Sequence, residues 1–237
     1  MVRLSVNINK IALIRNSRGA NVPNLIQVAK DCIVFGAQGI TVHPRPDERH
    51  IRWTDVVELK KVIDVELNIE GYPSNDFIQR VLDIKPAQVT LVPDPPHVLT
   101  SNTGWNTKDN LSFLKEVVAE LKSTDIRVSL FHNPEPDLLF YTKETRADRI
   151  ELYTGAYADT FSMDKTTEMD KHRLTARLAG EMGLGINAGH DLNLENLRYY
   201  AQHVPELLEV SIGHALVCDS MYFGLQNTIQ MYLSKLN

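Results

Sequence analysis

The chain has 237 residues, 43% hydrophobic and 23% charged, enough to bury a core of its own and too ordinary for a disordered or fibrous class. Its net charge of −5 gives no electrostatic reason for nucleic acid or an anionic membrane to be its partner. Two distant cysteines, Cys32 and Cys218, no apolar run near the roughly 18 residues of a membrane span, and no signal-like start lead us to expect a reduced, cytoplasmic setting.

In chain order, the first expected strand is LSVNI, residues 4–8, which runs into Asn7, Asn9 and Lys10. A long loop is expected over about 9–23 and carries Arg18. NLIQVAKDCIVFGA, residues 24–37, has apolar residues at helical spacing and a glycine near its end. GITVH, residues 39–43, stops at His43 and empties into the charged segment that holds Arg45, Arg49 and His50. A helix over 54–63 with Thr54 as its cap leads to ELNIE, residues 66–70, which ends on Glu70. QVTLV, residues 88–92, opens into a second long loop at about 93–108 that contains Asp94 and Thr100. An amphipathic helix over 110–122 precedes IRVSLF, residues 126–131, which delivers His132 and Asn133. RIELY, residues 149–153, carries Glu151, and a helix over 175–183 closes on glycine. LGINA, residues 184–188, leads to Gly189, His190 and Asp191, and LEVSI, residues 208–212, to Gly213 and His214.

Eight strand-like runs alternating with helix-like stretches mean parallel strands joined by crossover helices. In about 240 residues they fit one (β/α)8 TIM barrel, an α/β fold, as a single domain over 1–237. The main competitor, an open doubly wound sheet, would place a Gly-x-Gly-x-x-Gly after the first strand, and none is there.

Barrel enzymes carry their chemistry at the C-terminal ends of the strands. Taken alone, a strand-end histidine is usually a hydrogen-bonded structural residue, and the Arg45–Arg49 run is usually a solvated loop. Convergence of His43, Glu70, Glu151, His190 and His214 on one rim favours a site instead. His97, His172 and His203 read as structural. Gly189 and Gly213 follow strands 7 and 8, the usual phosphate cradle of this fold. Lys10, Arg18, Arg45 and His50 are placed to neutralise a second anion, which points to small phosphorylated substrates.

No metal is expected, because no His-x-His follows the first strand to join His43, His190 and His214. A Schiff-base aldolase would rest on Lys10, the only lysine near a strand end. A barrel that binds a sugar phosphate without turning it over is the remaining alternative.

The stretches VNINKIALIRNSRG, GITVHPRPDERHI, NIEG, VTLVPD, ELYTGAYA, NAGHDL and EVSIGHA together resemble the pyridoxine 5′-phosphate synthase family over almost the whole chain. The resemblance implies a transferase of vitamin B6 biosynthesis, without a cofactor, that assembles as a homo-octamer. It implies condensation of 1-deoxy-D-xylulose 5-phosphate with 3-amino-2-oxopropyl phosphate to pyridoxine 5′-phosphate, phosphate and water. It further implies His43 and Glu70 as proton acceptors, His190 as a proton donor and Glu151 as a transition-state stabiliser. Asn7, Arg18, Gly213 and His214 fall at contacts to the amino-ketone phosphate, and Arg45, His50 and Thr100 at contacts to the pentulose phosphate. Asn9-Lys10 stands where many members have Asp-His, and Asp191 where many have Gly. A carboxylate at 191 would repel a phosphate, so only its backbone N–H is expected to serve there.

Overall fold

The computed structural model describes residues 1–94 and 102–237. Its strands are β1 (Arg3–Asn7), β2 (Gly39–Val42), β3 (Glu66–Gly71), β4 (Gln88–Leu91), β5 (Arg127–His132), β6 (Arg149–Tyr153), β7 (Gly185–His190) and β8 (Leu207–Ile212). Each is parallel to the next, and β8 closes onto β1 in one barrel. All eight expected strands are present, with ends displaced by at most two residues.

The helices in order are α1 (Asn9–Asn16), α2 (Leu25–Val34), α3 (Trp53–Val62), α4 (Asn75–Ile84), α5 (Leu111–Lys122), α6 (Leu139–Glu144), α7 (Gly155–Thr160), α8 (Thr167–Glu181), α9 (Leu197–His203), α10 (His214–Phe223) and α11 (Leu225–Leu236). None of them is long and apolar enough to cross a membrane.

Three expectations are corrected. Half of the expected 9–23 loop is the helix α1, whose buried residues are Ala12 and Arg15; an arginine on the inner face hides the amphipathic pattern. Helix α3 starts at Trp53, with Arg52 rather than Thr54 at its cap position and Asp55 accepting from the Arg52 N–H. Helix α8 begins eight residues before the expected 175, at Thr167, where Asp164 accepts from the N–H groups of Thr166 and Thr167. Acidic Glu168 and Asp170 in that first turn suit the positive end of the helix.

The barrel is apolar outside and polar inside. Alternate strand residues such as Leu4, Ile40, Leu67, Val89, Leu130, Ile150 and Val210 are almost fully buried under the helices. The intervening positions fill the lumen with hydrogen-bonding groups, where barrels usually pack Val, Ile and Leu. Near the strand starts, Glu66 pairs with Arg3 at 2.6 Å and with Arg127, and Arg3 approaches Glu209 at 3.5 Å. One layer higher, Ser5 and Thr41 hydroxyls lie 2.7 Å apart, Asn68 donates to Thr41, and Thr90 lies 3.2 Å from both Asn68 Oδ1 and Glu151 Oε2. This polar ladder ends at the C-terminal rim. Of the expected 93–108 connection, Thr100 lies outside the described residues, while Trp105 is buried and its Nε1 donates to the Leu91 carbonyl at 2.9 Å.

Candidate active site

A cavity of about 660 Å³ opens at the C-terminal ends of the strands. His43, Glu70, Glu151 and His190 all face it, as do Asn7, Asn9, Lys10, Arg45, His50, Asp191, Gly213 and His214. The volume is in the range of pockets that take small organic ligands. Leu13, Val92, Phe131 and Ser211 also line it and escaped the sequence reading; Arg49, from the charged segment after His43, lines it too. Phe131 and Ser211 occupy lumen-facing strand positions, which the period of two identifies.

One hydrogen-bonded chain sets the β1–β2–β3 wall. Asn7 Oδ1 accepts from the Asn9 N–H at 3.1 Å, and Asn7 Nδ2 donates to Glu70 Oε2 at 3.3 Å. Glu70 Oε2 stands 3.8 Å from His43 Nδ1. Asn9 Oδ1 accepts from the His43 N–H at 2.9 Å, so the amide at position 9 ties the start of α1 to the end of β2. Glycine at 213 lets β8 approach this wall, since a Cβ there would stand 3.0 Å from the Cβ of Asn7.

Burial governs the electrostatics. It pushes His43 well below the usual imidazole range, and the positive charges of Arg45, His50 and Arg49 push it further. His50 is lowered to about 4 by burial and then by Arg45, Arg49 and Lys10. Glu70 is raised well above the ordinary carboxylate value, first by burial and then by the Glu151 charge, with Arg45 and Asn7 opposing. Glu151 is raised to about 7 by burial and by Glu209 in the charged layer below, against the Thr90 hydrogen bond and His190. A buried histidine whose charged form is disfavoured and two carboxyls raised by burial equip the site for proton transfer.

The opposite wall holds His190 in strain. Its φ of +97° is one that side chains rarely adopt, at a cost of about 1–3 kcal/mol. Its Nδ1 lies 2.6 Å from Asp191 Oδ2, and the Tyr153 ring meets its ring edge-on at 5.5 Å. A Cβ at Gly189 would collide with Oε1 of Glu151, so any larger residue there would have to displace that carboxyl.

Five candidates do not stand as expected. Arg18 follows the cap of α1, is exposed, and lies outside the cavity wall. The Asp191 N–H, expected to face a phosphate, donates to Thr154 Oγ1 at 3.2 Å, and its carboxylate is turned onto His190. His132 points away from the lumen, because its strand's inward positions are 127, 129 and 131; it bonds Thr142 Oγ1 at 3.0 Å. Asp94 faces a side cavity of about 40 Å³, shared with His43 and Arg45, rather than the main one. Lys10 lies in the first turn of α1 rather than in a loop. Among the described residues no group of three or more His, Cys, Asp or Glu side chains is arranged to hold a metal. His172 is buried against the Tyr200 hydroxyl at 2.9 Å, and His203 bonds the Tyr199 carbonyl, in keeping with their structural reading.

The architecture and the site together define a TIM-barrel protein with an acid/base centre at its C-terminal rim. Residues 4–237 match the model of the pyridoxal phosphate biosynthesis protein PdxJ, and the chain belongs to that family. Pyridoxine 5′-phosphate synthase of Parabacteroides distasonis is 55% identical over 237 residues, covering 100% of both chains. The protein of the same name from Cytophaga hutchinsonii is 54% identical over 236 residues, covering 100% of this chain and 99% of the relative. Among solved structures, 3-keto-L-gulonate-6-phosphate decarboxylase from Vibrio cholerae superposes with a TM-score of 0.68 at 10% identity, covering 99% of this chain and 97% of that one. Phosphoribosyl anthranilate isomerase from Thermotoga maritima gives 0.64 at 14% identity, covering 100% and 98%. These distant likenesses bear on the fold alone. The family favours neither the silent barrel nor the Lys10 aldolase.

Proposed function

We infer that this chain is a pyridoxine 5′-phosphate synthase, joining 1-deoxy-D-xylulose 5-phosphate to 3-amino-2-oxopropyl phosphate with release of phosphate and water. The observation that carries the reading is one cavity that gathers His43, Glu70, Glu151 and His190 beneath a rim of Lys10, Arg45, Arg49 and His50. Imine formation, dehydration, phosphate elimination and ring closure are proton transfers at carbonyl and enamine carbons. Each transfer gains about 10²–10⁴-fold from a positioned acid or base.

In this reading His43, held neutral by burial, takes a proton through its ring nitrogen. Glu70, 3.8 Å away, shares that task; a carboxyl raised by burial is a stronger base, once ionised, than an exposed glutamate. His190 donates from the opposite wall, and Glu151 beneath it steadies developing positive charge. Asn7, Gly213 and His214, at the N-terminal end of α10, receive the amino-ketone phosphate, and Arg45 and His50 the pentulose phosphate. Met221, Tyr222 and Phe223, exposed at the end of α10, support the self-association that belongs to this reading, as does its cytoplasmic setting.

The test is Glu70→Gln. With both substrates supplied, phosphate release and pyridoxine 5′-phosphate formation should fall by about 10²–10⁴-fold, while binding of each substrate survives. Equal loss of binding would make Glu70 a structural residue.

A further inference from the structure

We propose that Asp191 is a positioning residue for His190: its carboxylate takes the Nδ1–H and so reserves Nε2 for the substrate. The inference rests on the reading of His190 as the proton donor, and it assigns the Asp191 side chain a task that phosphate contact does not explain.

The geometry is specific. Asp191 Oδ2 lies 2.6 Å from Nδ1 of His190. An ionised carboxylate only accepts hydrogen bonds, so the proton between them sits on Nδ1, whereas a neutral imidazole without a partner is free to adopt either tautomer. Nε2 is then the nitrogen left for a substrate in the cavity that His190 lines. It carries a proton when the ring is charged and a lone pair after donation.

Both members of the pair are held in place. The Asp191 N–H donates to Thr154 Oγ1 at 3.2 Å, and the Asp191 carbonyl accepts from Asn196 Nδ2 at 3.3 Å. Thr154 in turn donates to the Gly189 carbonyl at 2.8 Å. Residues 189–191 are thereby fastened to the end of β6 and to the cap of α9. The His190 backbone is held at φ +97° and its ring is met by Tyr153, so the ring has little freedom to turn away. The pairing also answers the electrostatic objection to an acid beside a phosphate: with His190 charged, the pair is neutral as a unit. The carboxylate is 40% exposed, which makes the interaction moderate rather than dominant.

The experiment pairs two readouts on the full chain. In ¹⁵N-histidine-labelled protein, followed through a pH titration to the neutral ring, His190 should carry its proton on Nδ1, and Asp191→Gly should release it to the mixed tautomers. Turnover should fall by about 10–10²-fold in Asp191→Gly, a fraction of what a positioned acid supplies. KM for both substrates should stay within about twofold, since binding is not what the pair provides. Asp191→Glu, which restores a carboxylate, should recover part of the turnover. An Nε2–H tautomer in the unsubstituted chain, or unchanged turnover in Asp191→Gly, overturns the proposal. So does a loss confined to KM for 3-amino-2-oxopropyl phosphate, which would make Asp191 a substrate contact. If the unsubstituted chain forms no pyridoxine 5′-phosphate, the functional reading fails by itself, and the tautomer alone decides whether Asp191 orients His190.

Discussion

Glu151 shows how a single buried carboxyl ties the site to the barrel beneath it. It is 3% exposed, accepts from Thr90, and lies above the charged layer that contains Glu209. Burial first and Glu209 second raise it from 4.5 to about 7. The folded value exceeds the unfolded one, so its contribution to stability is full below about pH 4.5 and is lost as pH rises through about 7. Glu151→Gln cannot ionise and escapes that loss. Its thermal midpoint should match the unsubstituted chain near pH 4.5 and exceed it by several degrees at pH 8. The shift corresponds to at most about 3 kcal/mol, at roughly 2–4 °C per kcal/mol for a chain of this size. Thermal scans across that range, with turnover measured in parallel, check it. A midpoint difference independent of pH would mean that Glu151 is ionised in the fold throughout.

Among the elements, α1 acts as a bracket for the loop that carries Arg45 and His50. Arg15 makes a forked pair with Asp55 at 2.6 and 2.9 Å and also donates to the His50 carbonyl at 3.2 Å. Asn16 Nδ2 donates to the carbonyls of Arg49 and His50. Both members of the ion pair are buried, so Asp55→Ala strands a guanidinium and should cost about 3–5 kcal/mol. Replacing both partners with apolar residues, Arg15→Met with Asp55→Leu, should recover most of that stability but leave the loop slack. KM for the pentulose phosphate should then stay raised in the single and double variants alike. Urea unfolding and steady-state kinetics separate the two effects; recovery of KM in the double variant would show that the bracket does not position the loop. This element was not legible in the sequence, because a helix whose buried face includes an arginine does not read as amphipathic. The strands were legible for the opposite reason: their helix-facing residues are almost all apolar, as in Leu4, Ile40, Leu130 and Ile150. The rim could be read because barrel strands deliver their last inward residues to one mouth, and His43 and Glu70 follow that rule, whereas His190 is out of parity with the inward Asn187 and Gly189 and comes to the mouth with a φ of +97°. His132 misleads the same rule by one residue of parity, which sends it outward. The charged layer of Arg3, Glu66, Arg127 and Glu209 escaped the sequence reading, because single charged residues at strand starts look like strand boundaries until the barrel closes them into one lumen. The pairing of Asp191 with His190 depends on a backbone torsion, which no spacing rule supplies.

At the scale of the whole molecule, two sets of buried groups oppose each other in pH. His43 lies well below the imidazole range, His50 and His132 near 4, and His172 near 3, each chiefly because of burial. Their folded values are depressed, so their contribution to stability is present above about pH 6.5 and is lost as pH falls toward their folded values. Glu70, Glu151 and Glu209 are raised by burial and act in the reverse sense, adding stability as pH falls through their raised folded values, about 7 for Glu151, toward 4.5. The two sets overlap between about pH 5 and 6.5, where the unfolded chain protonates its histidines and the native carboxyls hold protons that the unfolded chain has released. Unsubstituted protein should therefore change little in urea midpoint across that window. The double variant Glu70→Gln with Glu151→Gln removes two of the three compensating groups and leaves the histidines. Its stability should fall on acidification from pH 6.5 to 5, with a slope of up to about 1.4 kcal/mol per pH unit for each carboxyl removed. Urea titrations at three pH values in the window measure it directly. If the double variant keeps the pH slope of the unsubstituted chain, these carboxyls titrate as exposed glutamates do, and the proton inventory assigned to the barrel mouth has to be withdrawn.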